Sequence, residues 1–435
     1  MSHAPKARLV LSSLALAVMA ACSAPSPMSD AGAEASTDGA VTEAGGDASM
    51  AMCATVMDAP MPTPLLMGMY TATTDVSAEI AATTQLGTVR GLPAAMPMGW
   101  WDAAAAMTAD GSPVILLLER ADRHALGAMA SGHPQSLLAR FRAAITSGRM
   151  ATDDDGRGVA RQRFEKSLLA ALALNVQVAV DAAIASSVRG CARESLQHWD
   201  RVAAFYTGLD GNARTRSMTM APDVWGTGVN NLTDENMGDL LVERLGRGRT
   251  AAMGASSRAL ISVGEEFKMY LTKYFFLSVM NYAYVVPSRL SMMMSATVAH
   301  AEGATFVEGL LLQLDPAGTG MGTVASRGLW AGTPDQVAQR SAMGLIIGVY
   351  GDKLARDTTG FASKTPEEQL AIAARVVGMV EALDEALVYA RQDIGALRTA
   401  ASTARSSASS GNAAGAMAAF AQLQTAFNAA GSYRP

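Results

Sequence analysis

A stretch that occurs twice constrains this chain more than any other feature. The first copy reads Glu194-Ser-Leu-Gln-His198-Trp199-Asp200 and continues to Phe205 and Gly208; the second reads Ala296-Thr-Val-Ala-His300-Ala-Glu302 and continues to Phe306 and Gly309. A long helical run precedes each, marked by Phe164-Glu165-Lys166 and by Glu266-Phe267-Lys268. Lys166 and Lys268 lie 102 residues apart, as do His198 and His300, and Asp200 and Glu302; Phe205 to Phe306 and Gly208 to Gly309 are 101. A degenerate internal duplication of helices is the reading that fits this spacing.

The composition agrees with helices. Half of the 435 residues are hydrophobic and only 6% are aromatic. Alanine dominates and β-branched residues are sparse in the middle, which favours helix. Apolar residues at Phe164, Leu168, Leu172, Val176, Ala179 and Val180 fall on one broad face. The expected long helices are 156–188, 192–209, 256–286 (stopped by Pro287), 291–314 and 366–400, the last with Thr365 as cap and Pro366 in its first turn. Shorter ones are expected at 76–89, behind Trp100-Trp101, at 114–130, 135–146, 235–245 with Thr233 or Asp234 as cap, 334–356 and 413–430. Loops are expected at 315–334 and 402–410. No run of alternating strands stands out. The expected fold is all-α, with two pseudo-repeated, four-helix-like bundles at 52–209 and 233–435, joined by a Gly-, Asn- and Thr-rich loop at 210–232.

The N-terminus is an address. Lys6 and Arg8 precede an apolar run, Leu9 to Met19, too short to span a bilayer as a mature helix. Met19-Ala20-Ala21-Cys22 resembles a bacterial lipobox, with residues 1–21 as signal peptide and Cys22 acylated. The lipid would anchor the chain to the membrane, and the serine after Cys22 resembles lipoproteins sent to the outer membrane. Residues 22–51 form an acidic tether, with Asp30, Glu34, Asp38, Glu43 and Asp47 and no base; such a segment is expected to be disordered. No later segment has the uninterrupted apolar length of a membrane span. Cleavage would remove two bases and no acid, moving the net charge from −5 to −7, the wrong sign for a nucleic-acid partner. An exported compartment permits disulfides, and Cys53 and Cys191 are expected to pair.

Chemistry rests on few residues. Four histidines follow the signal peptide, His124, His133, His198 and His300, and the last two occupy equivalent places in the duplication. Each precedes a carboxylate by two positions, Asp200 or Glu302. Imidazole binds transition metals and a carboxylate balances charge or orients the ring. Positions i and i+2 lie about 200° apart on a helix, so His198 and Asp200 cannot easily share an ion; Glu194 and His198, at i and i+4, can. The candidate metal set is therefore His198 and Glu194 with Asp200, His300 and Glu302, for iron or zinc. The competing reading is a buried, inert histidine in each bundle. The 27 methionines, clustered at 50–69, at 96 and 98 and at 292–294, raise Cu(I) as a lesser cofactor, although methionine more often fills irregular core gaps. No Gly-x-Ser-x-Gly, His-Glu-x-x-His or phosphate-binding glycine loop is present.

An exported helical protein with paired bundles and a His198-Trp199-Asp200 helix is similar to imelysin-like proteins, over about residues 110–400. These are bacterial surface or periplasmic proteins of paired four-helix bundles, often linked to iron acquisition. Their signature, Gly-x-His-x-x-Glu, is met at neither histidine: Leu196 and Arg201 flank His198, and Val298 and Gly303 flank His300. The resemblance thus implies the architecture and the broad role. The expected function is a non-catalytic envelope lipoprotein binding a metal ion, a metal complex or a partner protein. The alternatives are a metal-dependent hydrolase using the His198 and His300 regions, and a structural interaction module without a ligand.

Overall fold

The computed structural model describes residues 53–90, 97–127, 136–219, 237–254 and 256–432, without the side chains of 60, 89, 90, 97, 98 and 210–219. The expected signal peptide and tether, Cys22, His133 and the cap expected at 233 or 234 lie outside them.

Within this range the protein is all-α apart from one hairpin. The helices are α1 (Ser77–Arg90), α2 (Pro97–Met107), α3 (Pro113–Leu126), α4 (Leu137–Met150), α5 (Asp154–Val188), α6 (Ala192–Thr219), α7 (Met237–Met253), α8 (Ser257–Ser291), α9 (Thr297–Leu314), α10 (Met321–Ala331), α11 (Gln339–Thr358), α12 (Pro366–Tyr389), α13 (Ile394–Ser409) and α14 (Ala413–Gly431). The expected capping of α12 is present: Thr365 and Glu368 bond each other's backbone N–H groups.

The hairpin was not legible in the sequence. Strands β1 (Asp58–Leu65) and β2 (Tyr70–Thr74) pair antiparallel, with Leu65 opposite Tyr70 and Thr63 opposite Ala72. Prolines at 60, 62 and 64 cannot donate to a ladder, so β1 is confined to an edge. They break a helix, as expected, and the chain takes the one extended form they allow. On β2 the buried residues alternate: Tyr70, Ala72 and Thr74 face inward.

Several boundaries move. Pro287 does not stop α8, which runs on to Ser291. The loop expected at 315–334 contains α10, and Pro334 opens a 3-10 turn before α11 begins at Gln339. The helix expected to reach residue 400 stops at Tyr389, and the serine-rich gap is the end of α13. Helix α6 continues through 219, so half of the expected 210–232 loop is helical.

That loop also fails to separate two cores. The described residues form one compact unit, and one contiguous cluster of buried side chains takes members from every helix. Helix α5 is the reason. It packs on α6 of its own half and on α8 and α9 of the other. Its apolar stretch is long enough to cross a bilayer, contrary to the sequence reading, but 72% of that window is buried inside the fold. The surrounding helices supply the apolar medium that lipid would.

The two helices that the sequence spacing relates are equally long, α5 and α8 each having 35 residues. Two glycines at related positions also play similar parts. A Cβ on Gly208 would meet Leu172 of α5 at 2.7 Å, and one on Gly309 would meet Phe275 of α8 at 2.9 Å, so each glycine lets its helix approach the long helix of its own copy. The likeness stops at the polar partners, described next.

Candidate functional site

Helix α6 carries the first copy of the motif, and the structure spends most of it on holding the start of the globular part. Cys191, just before the helix, is bonded to Cys53, with Cα atoms 5.5 Å apart. Arg193 pairs with Asp58. Glu194 accepts from the Ala54 N–H at 3.0 Å, from Ser186 Oγ at 3.0 Å and from Arg189 at 2.6 Å. Burial pushes its pKa up, but these three donors outweigh it and hold the carboxyl below its ordinary range.

Asp200, fully buried, does the same for the hairpin. Its Oδ1 accepts from Tyr70 OH at 2.7 Å; its Oδ2 accepts from the Thr73 and Thr74 N–H groups at 2.9 and 3.0 Å and from Thr74 Oγ1 at 2.8 Å. Arg249 of α7 stands 4.0 Å away and supplies countercharge. Burial, then the Asp200 charge, raises the Tyr70 pKa well above its usual value, so the phenol stays a donor.

His198 lies between these two carboxylates on the same helix. Its Nε2 is 3.8 Å from Glu194, and Arg201 Nη1 is 3.4 Å from its Nδ1. A guanidinium can only donate, so Nδ1 is the acceptor and the single ring proton sits on Nε2. Burial, with Arg201 beside it, pushes the pKa down to about 4. His198 is neutral at pH 7, and Arg201 occupies its lone pair.

The second copy is wired differently. His300 stacks on Trp330 of α10 at 5.6 Å, and its Nε2 is buried without a hydrogen-bond partner among the described residues. Burial lowers its pKa. Glu302 pairs with Lys166 of α5 at 2.9 Å. The five residues nominated as a metal set are thus not brought together. Among the described residues, no group of three His, Cys, Asp or Glu side chains is placed to hold a metal ion. The carboxylates that would ligate are consumed by hairpin docking and an ion pair, roles that need tertiary partners no sequence spacing reveals.

The methionines correct a second expectation. Those at 57, 61, 67, 69 and 292–294 do not fill the core; Met67 is 86% exposed and Met293 96%.

Two features escaped the sequence altogether. One is a chain of buried ion pairs along α8: Lys268 with Asp181 and Glu265, Arg375 with Glu265 and Asp357, and Lys273 with Asp384 and Glu385 at 2.7 and 3.2 Å. Burial, with Asp384 alongside, pushes the Glu385 pKa up to about 8 despite Lys273. The other is a pair of clefts. The larger, about 260 Å³, lies among α4, α5 and α9 and includes Arg140, Arg163 and Glu308. Glu308 already neutralises Arg140 and Arg327, each at 3.2 Å. The smaller, about 220 Å³, lies among α1, α3, α5 and α6. Arg201 links it to His198, because its Nε is 3.3 Å from Glu79 in the cleft wall.

Comparison of the chain with protein-family models, with curated proteins and with solved structures found no match. The geometry described above defines an all-helical protein with an N-terminal hairpin strapped to its sixth helix.

Proposed function

We propose that this protein is an exported lipoprotein, anchored through Cys22, whose helical body binds a ligand or a partner at the cell envelope without catalysis. The Cys53–Cys191 bridge carries this reading. Disulfides persist in oxidising compartments outside the cytosol, which is where the signal-like N-terminus and the lipobox-like Met19-Ala20-Ala21-Cys22 would send the chain. The bridge also has a use that fits an anchored protein. The acidic tether ends at about residue 51, and two residues later the chain is bonded covalently to the fold. Glu194, Arg193 and Asp200 reinforce the same attachment. Any pull from the membrane would pass into helix α6 without peeling off the hairpin.

The imelysin-like kinship belongs to this proposal, supported by the all-helical build and the two long helices of equal length. An envelope protein partner remains part of it. Iron or zinc held jointly by Glu194, His198, Asp200, His300 and Glu302 is not part of it, because these side chains are engaged at separate places. The hydrolase reading, which needs them together, is the less favoured alternative.

The test is metabolic labelling with an alkyne fatty acid in a bacterial host. Wild type should take up label and fractionate with membranes; Cys22→Ser should do neither. Label on neither protein, with the signal peptide intact, would end the lipoprotein reading.

A further inference from the structure

The larger cleft, about 260 Å³, is walled by three helices. Arg140 and Ser147 face it from one side of α4, Arg163 from α5, and Thr305 and Glu308 from α9, with three alanines between them. Three observations set it apart from an ordinary surface dent.

The first is a pair of like charges. Phe141 and Phe164 stack with ring centroids 4.5 Å apart. Each is next in sequence to an arginine of the cleft, so the stack sets Arg140 and Arg163 at one level of α4 and α5. Two guanidiniums so placed repel each other unless an anion joins them. The second is that compensation is one-sided. Glu308 Oε2 lies 3.2 Å from Arg140, but it lies 3.2 Å from Arg327 of α10 as well. Glu308 is the only carboxylate in the lining among the described residues. Arg163 is exposed, and its guanidinium makes no ion pair or hydrogen bond among the described residues. Three guanidiniums against one carboxylate leave two positive charges on this wall. The third is the hydroxyls. Thr305 Oγ1 spends its proton on the Ala301 carbonyl at 2.8 Å, which leaves it an acceptor toward the cleft. Ser147, exposed and without a hydrogen bond among the described residues, can donate.

We propose that this cleft binds a small phosphate monoester with a hydroxylated body: Arg163 bonds the phosphate, Arg140 adds its charge, Thr305 accepts from a hydroxyl of the body and Ser147 donates to another. A phosphate dianion matches the two uncompensated charges, and the guanidinium fork matches its geometry. Its several oxygens suit donors that arrive from different helices. The alanine methyls leave the volume open and offer no large apolar surface, which disfavours a hydrophobic body. The proposal rests on the ligand-binding reading above and names the ligand class.

The experiment is calorimetric titration of the full chain in detergent with glycerol 3-phosphate, at low and at physiological salt. Saturable one-to-one binding is expected, weaker at the higher salt because the charges are open to solvent. Glycerol should not bind, and succinate, a dianion without phosphate, should bind at least about tenfold more weakly. Arg163→Gln should weaken glycerol 3-phosphate by about tenfold or more, the loss of one charge-assisted bond. The exposed Arg163 guanidinium supports no other residue, so this variant should melt like wild type. Ser147→Asp, also at an exposed position, should abolish binding by setting a like charge beside the ligand. Absence of saturable glycerol 3-phosphate binding overturns the proposal, as does succinate binding equally tightly or equal affinity in wild type and a folded Arg163→Gln. Failure of fatty-acid labelling would remove the anchor and leave this result untouched; failure here would leave the anchor untouched.

Discussion

Lys166 of α5 reaches Glu302 of α9 at 2.9 Å, while Lys268, its counterpart 102 residues on, turns to Asp181 and Glu265 and leaves Asp200 to the hairpin. If the copies were related by an exact exchange, Lys268 would meet Asp200. Asp200 is bonded instead by Tyr70, Thr73 and Thr74 of β2.

The Lys166–Glu302 pair is nearly dehydrated: both side chains are about a tenth exposed. Removing Glu302 leaves Lys166 with only the more distant Glu165 carboxylate, 3.8 Å away. Glu302→Leu should cost about 3 kcal/mol, whereas Lys166→Met with Glu302→Leu should return to within about 1 kcal/mol of wild type, since apolar replacements of buried pairs are often neutral. Urea melts of the three variants check this. A double variant as unstable as the single would show that the pair contributes net stability.

The strap between residues 53–74 and α6 should be worth more as a cross-link than as contacts. The bridge spans a sequence separation of 138. Loop-closure entropy for a ring of that size gives up to about 5 kcal/mol, with about 2–4 typical of measured cases. Cys53→Ala/Cys191→Ala should therefore lower the urea midpoint strongly, and dithiothreitol should do the same to wild type and nothing to the variant. Asp200→Asn should cost about 2–3 kcal/mol on its own, because the neutral amide loses the charge that strengthens these bonds and faces Arg249, and it keeps one acceptor oxygen where two served four donors. An unaltered midpoint in the double cysteine variant would mean that hydrogen bonds alone seat the hairpin.

Two groups should give opposite pH slopes. His198 has a folded pKa of about 4, below the ordinary 6.5, so the unfolded chain binds the proton more readily. Stability from this site is complete above pH 6.5 and is lost as pH falls from there through about 4. Glu385 is the reverse: its folded pKa is raised to about 8 from 4.5, so the folded chain holds the proton. Stability from this site is complete below pH 4.5 and is lost as pH rises through about 8. Melting temperatures from pH 4 to 8 should show His198→Gln losing the acid-side slope and Glu385→Gln losing the alkaline-side slope. A Glu385→Gln profile parallel to wild type would mean that Lys273 keeps Glu385 ionised throughout.

How much of this was readable beforehand depends on the range of the interaction. Thr365 with Glu368, the apolar face of α5 and the helical character of nearly every segment are local, and periodicity reports them. The pairing of Cys53 with Cys191 was readable because only two cysteines follow Cys22. The hairpin was not, because three prolines conceal strand alternation; nor was the continuation of α8 past Pro287, which its packing tolerates. Among candidate site residues, spacing located Glu194, His198, Asp200, His300 and Glu302 on the right helices but misjudged their chemistry. All five were assigned to one shared ligand, whereas Asp200 and Glu302 are held by distant partners, His300 stacks on Trp330, and His198 is held by Arg201 of its own helix.

The sequence by itself determined that this chain is helical, where its long helices lie and which cysteines bond, because those properties follow from neighbours a few residues apart or from simple scarcity. Only the tertiary structure decided that the helices share one core and that the motif carboxylates clamp a hairpin and a lysine. A charged or polar side chain takes its role from whichever partner reaches it first, and partners such as Tyr70 for Asp200 or Lys166 for Glu302 stand 130 or more residues away.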